Sequence, residues 1–318
     1  MERAIVFPGQ GAQFVGMGRQ FYERFASSRK VFELADQVLN LPLTKLCFEG
    51  PESDLEATDV SQPAILVCSA AIVSALEETE VLTRADFSVA AGLSLGEYSA
   101  LWFAGALGLE DAIRLVRIRG VWMQCASEAS PSGMLALLGA SAESAAELCR
   151  SVSGNEVLVP ANYLCEGNIV LSGSTTAIDR AEAVARNFGV RRTTRLKVAG
   201  AFHSELMRPA CEPLTEALAT TPLGIPRMPV LSNVTARPLA DAEEISRLLV
   251  QQVTSPVRWA QCIQEVVRMG IHDLVEPGPG KTLSQLATKI DRSLRAVSIN
   301  FVVDLEQLAG RGTAGPAD

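Results

Sequence analysis

Short runs of apolar and β-branched residues alternate along this chain with longer stretches whose apolar positions recur at helical spacing. The short runs predict strands at Ala4–Phe7, Phe87–Ala91, Met134–Leu138, Val157–Pro160, Ile169–Leu171, Pro229–Leu231, Asp273–Glu276 and Ala296–Ile299. Between them, stretches such as Ser141–Arg150 and Thr176–Asn187 predict helices. That alternation indicates an α/β protein with a mostly parallel sheet. From about Ser127 to Val198 the order changes to strand, helix, two strands, helix, strand, which is the order of a small ferredoxin-like unit. The expected organisation is a large domain from 1–126 and 199–309, a small domain inserted at 127–198, and a loose tail at 310–318.

Composition narrows the function. Of 318 residues, 48% are hydrophobic, so a buried core is available and wholesale disorder is excluded. Acidic residues outnumber basic ones by 36 to 28, a net charge of −8 that argues against nucleic acid as a partner. The seven cysteines are scattered and hold no C-x-x-C pair, which argues against a disulfide framework or a zinc site and fits a reducing cytoplasm. Pro8 breaks the apolar N-terminus too early for a signal peptide. The most apolar stretch, Ala64 to Leu76, reads as too short for a membrane span of ~20 residues. Nothing in the chain demands more than a monomer.

Four motifs invite chemistry, and three of them fail. Gly9-Gln10-Gly11 follows a strand, but Phe14 stands where a dinucleotide fold needs a small residue. A tight turn or an oxyanion loop remains. Gly278-Pro279-Gly280-Lys281-Thr282 ends like a P-loop, yet Val275 replaces the first glycine and two prolines remove amide donors, so a strand-to-helix turn is expected. His203-Ser204-Glu205 has the H-x-E of zinc deaminases without the matching cysteine pair, so no metal is expected. The fourth, Gly92-Leu93-Ser94-Leu95-Gly96, fits G-x-S-x-G between a strand and a helix. A nucleophile on so sharp a turn leaves no space for flanking side chains, and the helix N-terminus favours developing negative charge. The Leu95 N–H can then donate to an oxyanion. With this elbow, the expected fold is a large α/β-hydrolase-like domain with a parallel sheet plus the inserted ferredoxin-like domain.

A serine nucleophile needs a base, and the chain offers two histidines. His272 approaches a strand and reads as a turn residue. His203 sits in a loop before the helical pattern Leu206–Leu218 and is the better candidate. In the predicted helix Leu109–Ala126, Leu115, Val116, Trp122, Met123 and Ala126 form one apolar stripe with Arg119 in its middle, while Arg114 and Arg117 lie opposite. A core-facing guanidinium must meet an anion, either an internal carboxylate or one on a substrate. The run Arg191-Arg192-Thr193-Thr194-Arg195-Leu196-Lys197 is the one dense basic patch, either a solvated face or a dock for an acidic partner.

Together these residues resemble the malonyl-CoA:acyl-carrier-protein transacylases, the acyltransferases of fatty-acid and polyketide synthesis. The likeness runs from Phe7-Pro8-Gly9-Gln10-Gly11 to Glu276-Pro277-Gly278-Pro279-Gly280-Lys281. It includes the elbow Gly92–Ser99, the segment Arg119-Gly120 with Met123-Gln124, and Gly200-Ala201-Phe202-His203-Ser204. The resemblance implies a Ser94–His203 dyad, an oxyanion hole from the N–H groups of Gln10 and Leu95, and Arg119 on the malonyl carboxylate, with Met123 in the same segment. It implies that the Gln252 carbonyl orients His203, and Phe202 before the histidine implies malonyl rather than methylmalonyl units. The implied partners are malonyl-CoA and a holo acyl carrier protein, with no cofactor, because the coenzyme A thioester is the substrate. Leu93 departs from the histidine many members carry, and Leu164–Asn168 departs from their usual loop. The rival readings are a serine thioesterase or hydrolase on the same elbow and a non-catalytic scaffold that binds carrier proteins.

Overall fold

The computed structural model describes residues 2–313. Two sheets organise it. The first joins β1 (Arg3–Phe7), β2 (Phe87–Gly92), β7 (Asp273–Pro277) and β8 (Arg295–Ile299) in the order β2-β1-β7-β8, every neighbouring pair parallel. The second joins β3 (Ser132–Leu138), β4 (Leu158–Cys165), β5 (Asn168–Ser174) and β6 (Arg192–Arg195) in the order β4-β5-β3-β6, all antiparallel. The helices Ala142–Val152 and Thr175–Val184 cross over this second sheet, so strand order and connections are those of a ferredoxin-like unit inserted in an α/β protein.

Each sheet has its reason in the sequence. Strands β1 and β2 are covered on both faces, which is why they read as continuous apolar runs. In the inserted unit Leu135, Leu137 and Leu171 turn inward against Leu148 and Ile178 of the two helices, a small core separate from the main one. Ser141 and Ser174 cap those helices by accepting the N–H of Ser144 and Ala177.

Three expectations need correction. Pro229–Leu231 is no strand. It touches β2 through a single bridge at Val230, where Ala90 N–H donates to Pro229 O at 2.9 Å and Leu231 N–H to Ala90 O at 3.1 Å. Pro229 has no N–H, and the chain turns away at Ser232-Asn233 toward the elbow. The apolar stretch Ala64–Leu76 belongs to a longer helix, Thr58–Glu78, which is long and apolar enough by composition to cross a membrane. It is instead the central helix of the main core, 89% buried, and its first turns carry the buried polar residues Thr58, Ser61 and Gln62. Third, Val302–Thr313 is helical through 310–313, anchored by Leu305 and Leu308 in the core, where a loose tail was expected. The remainder of that tail, 314–318, lies outside the described residues.

Candidate active site

The site begins where β2 ends. Ser94 has φ +54°, in the left-handed region that side chains avoid, on the turn between β2 and the helix Gly96–Phe103. Both flanking glycines are required by space. A Cβ on Gly92 would lie 2.0 Å from the Gly96 carbonyl, and one on Gly96 would lie 2.3 Å from the Phe7 carbonyl oxygen. Asn233 braces the turn: its Oδ1 accepts the Ser94 N–H at 2.6 Å and its Nδ2 donates to Gly92 O at 2.7 Å. The loop after β1 packs against the elbow so closely that a Cβ on Gly9 would sit 2.5 Å from the Leu93 carbonyl oxygen. Among the described residues, neither the Gln10 nor the Leu95 amide N–H makes a hydrogen bond. Two backbone donors are therefore unspent, one on the residue after Ser94 and one on the loop packed against the elbow.

His203 comes from the inserted unit's exit loop and also holds a positive φ, +61°. Its Nε2 lies 2.9 Å from Ser94 Oγ, and its Nδ1 lies 2.9 Å from the Gln252 carbonyl oxygen. A carbonyl only accepts, so Nδ1 carries the proton and Nε2 presents its lone pair to the serine hydroxyl. Burial, and then the charge of Arg119, pushes the imidazole down to about 4, so it is neutral and ready to act as a base near pH 7. His272 lies elsewhere, with Nδ1 against the Ser293 hydroxyl at 2.9 Å.

Arg119 is buried on the helix Leu109–Ala129, at 1% exposure. Its Nη1 donates to Gln62 Oε1 at 2.6 Å; its Nη2 donates to Ser94 Oγ at 2.9 Å and to Gln252 Oε1 at 3.0 Å. Its Nε has no partner, and among the described residues no carboxylate pairs with it. Of the two alternatives, the internal ion pair is absent among the described residues, and burial lowers the guanidinium's proton affinity. Arg117 pairs with Asp59 and Arg114 with Glu110, as surface arginines do. Trp122 departs from the expected stripe: it is 42% exposed, about 60° round the helix from Arg119 and past the edge of the buried face.

The other implied residues fall at different depths. Met123 is buried behind the guanidinium, its Sδ accepting from Gln62 Nε2 at 3.6 Å. Phe202 is buried beside His203, its carbonyl held by the Ser172 hydroxyl. A cavity of about 420 Å³ opens between the two sheets, lined by Gly9 and Gln10 of the loop after β1, by Leu93, by Asn162 and by Lys197. Leu93, where many relatives in the resembled family carry histidine, thus gives this cavity an apolar wall.

Three residues that sequence reasoning passed over complete the site. Gln62 grips the guanidinium, Asn233 braces the nucleophile, and Glu97 is a buried carboxylate whose Oε2 accepts from Gln252 Nε2 at 2.7 Å and from the Asn233 N–H at 3.0 Å. Burial raises Glu97 to about 7, opposed by those two donors and by Arg119. A polar residue just before a proline, at the edge of the most apolar stretch of the chain, was a signal for Gln62. The others gave none.

This geometry has close parallels. The family described as acyl transferase domain matches residues 4–303. The malonyl CoA-acyl carrier protein transacylase of Bacillus subtilis is 40% identical over 298 residues, covering 93% of each chain. The crystal structure of an acyl-carrier-protein S-malonyltransferase from Bartonella henselae superposes with a TM-score of 0.93 at 38% identity, over 98% of this chain and 100% of that one. A type II PKS acyl-carrier protein in complex with its malonyl-transacylase gives 0.93 at 35% identity, again over 98% and 100%.

Proposed function

Since the chain belongs to the acyl transferase domain family, we propose that it moves a malonyl group from coenzyme A to the phosphopantetheine thiol of an acyl carrier protein, through a covalent malonyl-Ser94 intermediate. His203 Nε2 takes the Ser94 proton as Oγ attacks the thioester carbonyl. The oxyanion that forms accepts from the Gln10 and Leu95 N–H groups. The tetrahedral intermediate collapses with cleavage of the carbon–sulfur bond, and His203 returns its proton to the departing coenzyme A sulfur. The carrier's thiol then gives its proton to His203 and attacks malonyl-Ser94, and the Ser94 oxygen leaves with that proton. Gln252 holds the imidazole in the required tautomer through its carbonyl, where a hydrolase of the triad type would use a carboxylate.

The observation that carries the malonyl reading is Arg119. A buried cation that no internal carboxylate touches, 2.9 Å from the nucleophile's oxygen, suits an arriving anion. A malonyl unit esterified to Ser94 would bring its free carboxylate to that cation, and an acetyl unit would not. Intact-mass measurement after mixing with malonyl-CoA tests the proposal: the native protein gains one malonyl group and Ser94→Ala gains none. Rapid loss of the adduct without any thiol acceptor would indicate a hydrolase, and no adduct would indicate a scaffold.

A further inference from the structure

Glu97 lies fully buried in the first turn of the helix Gly96–Phe103. Both donors to its Oε2 belong to residues that frame the nucleophile. Asn233 receives the Ser94 N–H, while Gln252 donates to the Ser94 carbonyl at 3.0 Å and accepts the His203 Nδ1 proton. The Gln252 side chain also spans the gap between the acid and the cation. Its Nε2 points to Glu97 and its Oε1 to Arg119. An amide donates only through nitrogen and accepts only through oxygen, so Glu97 fixes the direction of this one. Flipped, it would set a donor against the guanidinium and an acceptor against the carboxylate.

We propose that Glu97 is a positioning residue and the resting counter-ion of Arg119, held one amide away so that the cation is balanced while its donors rest only on neutral groups that the substrate's carboxylate can replace. This rests on the malonyl reading above and deepens it. An acid directly on Arg119 would occupy those donors, and no acid nearby would leave a buried cation alone. The interposed Gln252 amide avoids both. When the malonyl carboxylate arrives, two anions share one cation, and Glu97, whose Oε1 is buried without a partner, takes up a proton.

The neighbouring groups leave this change to Glu97. Arg119 faces it from the helix Leu109–Ala129 and stays charged. His203 is held near 4, and burial pushes the Tyr98 phenol and the Cys262 thiol, the latter on the helix Trp259–Arg268, further above neutrality. Glu97, raised to about 7, is the group of this cluster that changes charge between pH 6 and 9.

The test compares malonyl-CoA with acetyl-CoA, which shares the coenzyme A phosphates, in the acylation half-reaction from pH 6 to 9. In the native protein the malonyl-CoA concentration for half-maximal rate rises on the order of tenfold with pH, as an ionised Glu97 opposes the second anion, and acetyl-CoA shows no such rise. Glu97→Gln preserves shape and an acceptor for both N–H groups, and its malonyl curve becomes flat at the native low-pH value. A rise that persists in Glu97→Gln, or that never occurs in the native protein, overturns the proposal. Should Glu97→Gln fail to fold, calorimetry of Ser94→Ala binding malonyl-CoA at pH 8, in two buffers of different ionisation enthalpy, decides it. Roughly 0.4 of a proton, the uptake that a tenfold affinity change implies at pH 8 for a group raised to about 7, accompanies malonyl-CoA and none accompanies acetyl-CoA, and equal uptake with both overturns it. Absence of malonyl-Ser94 in the native protein would sink the reading beneath, whereas normal acylation with no pH slope sinks only the role of Glu97.

Discussion

Two arginines in two regions of the molecule show what a charge is for. On the exposed strand β6, Arg195 donates to Asp179 and Glu182, and its charge is spent on neighbours within the inserted unit. Beneath the elbow, Arg119 has no carboxylate, only the amide oxygens of Gln62 and Gln252 and the hydroxyl of Ser94. Water solvates the first cation whatever its partners do. The second has surrendered its water; its direct partners are neutral, and Glu97 stands one amide away. Burial without a direct ion pair costs several kcal/mol, and on the proposed malonyl reading that cost is offset when the substrate's carboxylate meets the cation away from water. The basic run that stands out in the sequence is thus the less informative of the two, and the single arginine inside an apolar helix is the more informative.

The strongest way to break this comparison is to remove the groups that Arg119 serves. His203→Ala should lower kcat/KM by roughly 10²- to 10⁴-fold with Ser94 still present, the range for a general base, and a loss under tenfold in steady-state transfer would deny it that role. His203 also predicts a pH effect on stability. The folded imidazole holds its proton only below about 4 and the unfolded one below about 6.5. The unfolded chain therefore binds more protons between those values, and His203 costs stability as pH falls through that window. Thermal melts of His203→Gln should lack this part of the acid slope. A native kcat that halves near pH 6.5 would contradict the low value.

Arg119→Ala comes next. Malonyl transfer should weaken by about 2–5 kcal/mol, the figure for losing one partner of a buried charge pair, while acetyl transfer weakens much less. Parallel rates with both thioesters measure the split, and equal factors would show that Arg119 merely supports the fold. Asn233→Ala is expected to be milder. The Ser94 N–H loses its acceptor and Gly92 O its donor, at about 1–3 kcal/mol for each buried group left unpaired. A denaturant midpoint that fails to move would mean the elbow keeps its positive φ without that brace.

How far the chain could be read follows from how local each contact is. The elbow was legible because Gly92 and Gly96 answer to clashes within a few residues of one another and with β1. Arg119 was legible because helical periodicity places it on the buried face without knowledge of any partner. The same periodicity misplaced Trp122, since it gives a residue's angle around the helix and not how far the neighbouring elements reach round it. The inserted unit was legible from element order, although β6 looked like a charge cluster and is a strand whose arginine is already paired. Glu97 looked like an ordinary acid in a helix's first turn. Its role appears only once Gln252 and Asn233, which stand 155 and 136 residues away, fold against it. Pro229–Leu231 failed for a related reason: its apolar residues serve two isolated bridges, one to β2 and one to Pro238, and then deliver Asn233 to Ser94.

The smallest effects return to the basic run and divide it. Arg191, Arg192 and Lys197 are all exposed, and among the described residues none forms an ion pair, but only Lys197 lines the cavity that leads past Gln10 and Leu93. An acidic carrier protein presenting its phosphopantetheine to that cavity would meet Lys197 as an unspent charge and Arg195 as a spent one. Lys197→Glu should therefore raise the KM for the carrier severalfold at low salt, with kcat nearly unchanged and the effect fading as salt is added, because a rim charge acts on encounter and is screened. Arg195→Ala should leave the carrier's KM in place, and the surface pairs it loses are worth at most about 1 kcal/mol. If the two substitutions shift the carrier's KM equally, the distinction between spent and unspent charge in this run is wrong, and the whole basic face acts as one diffuse attractor.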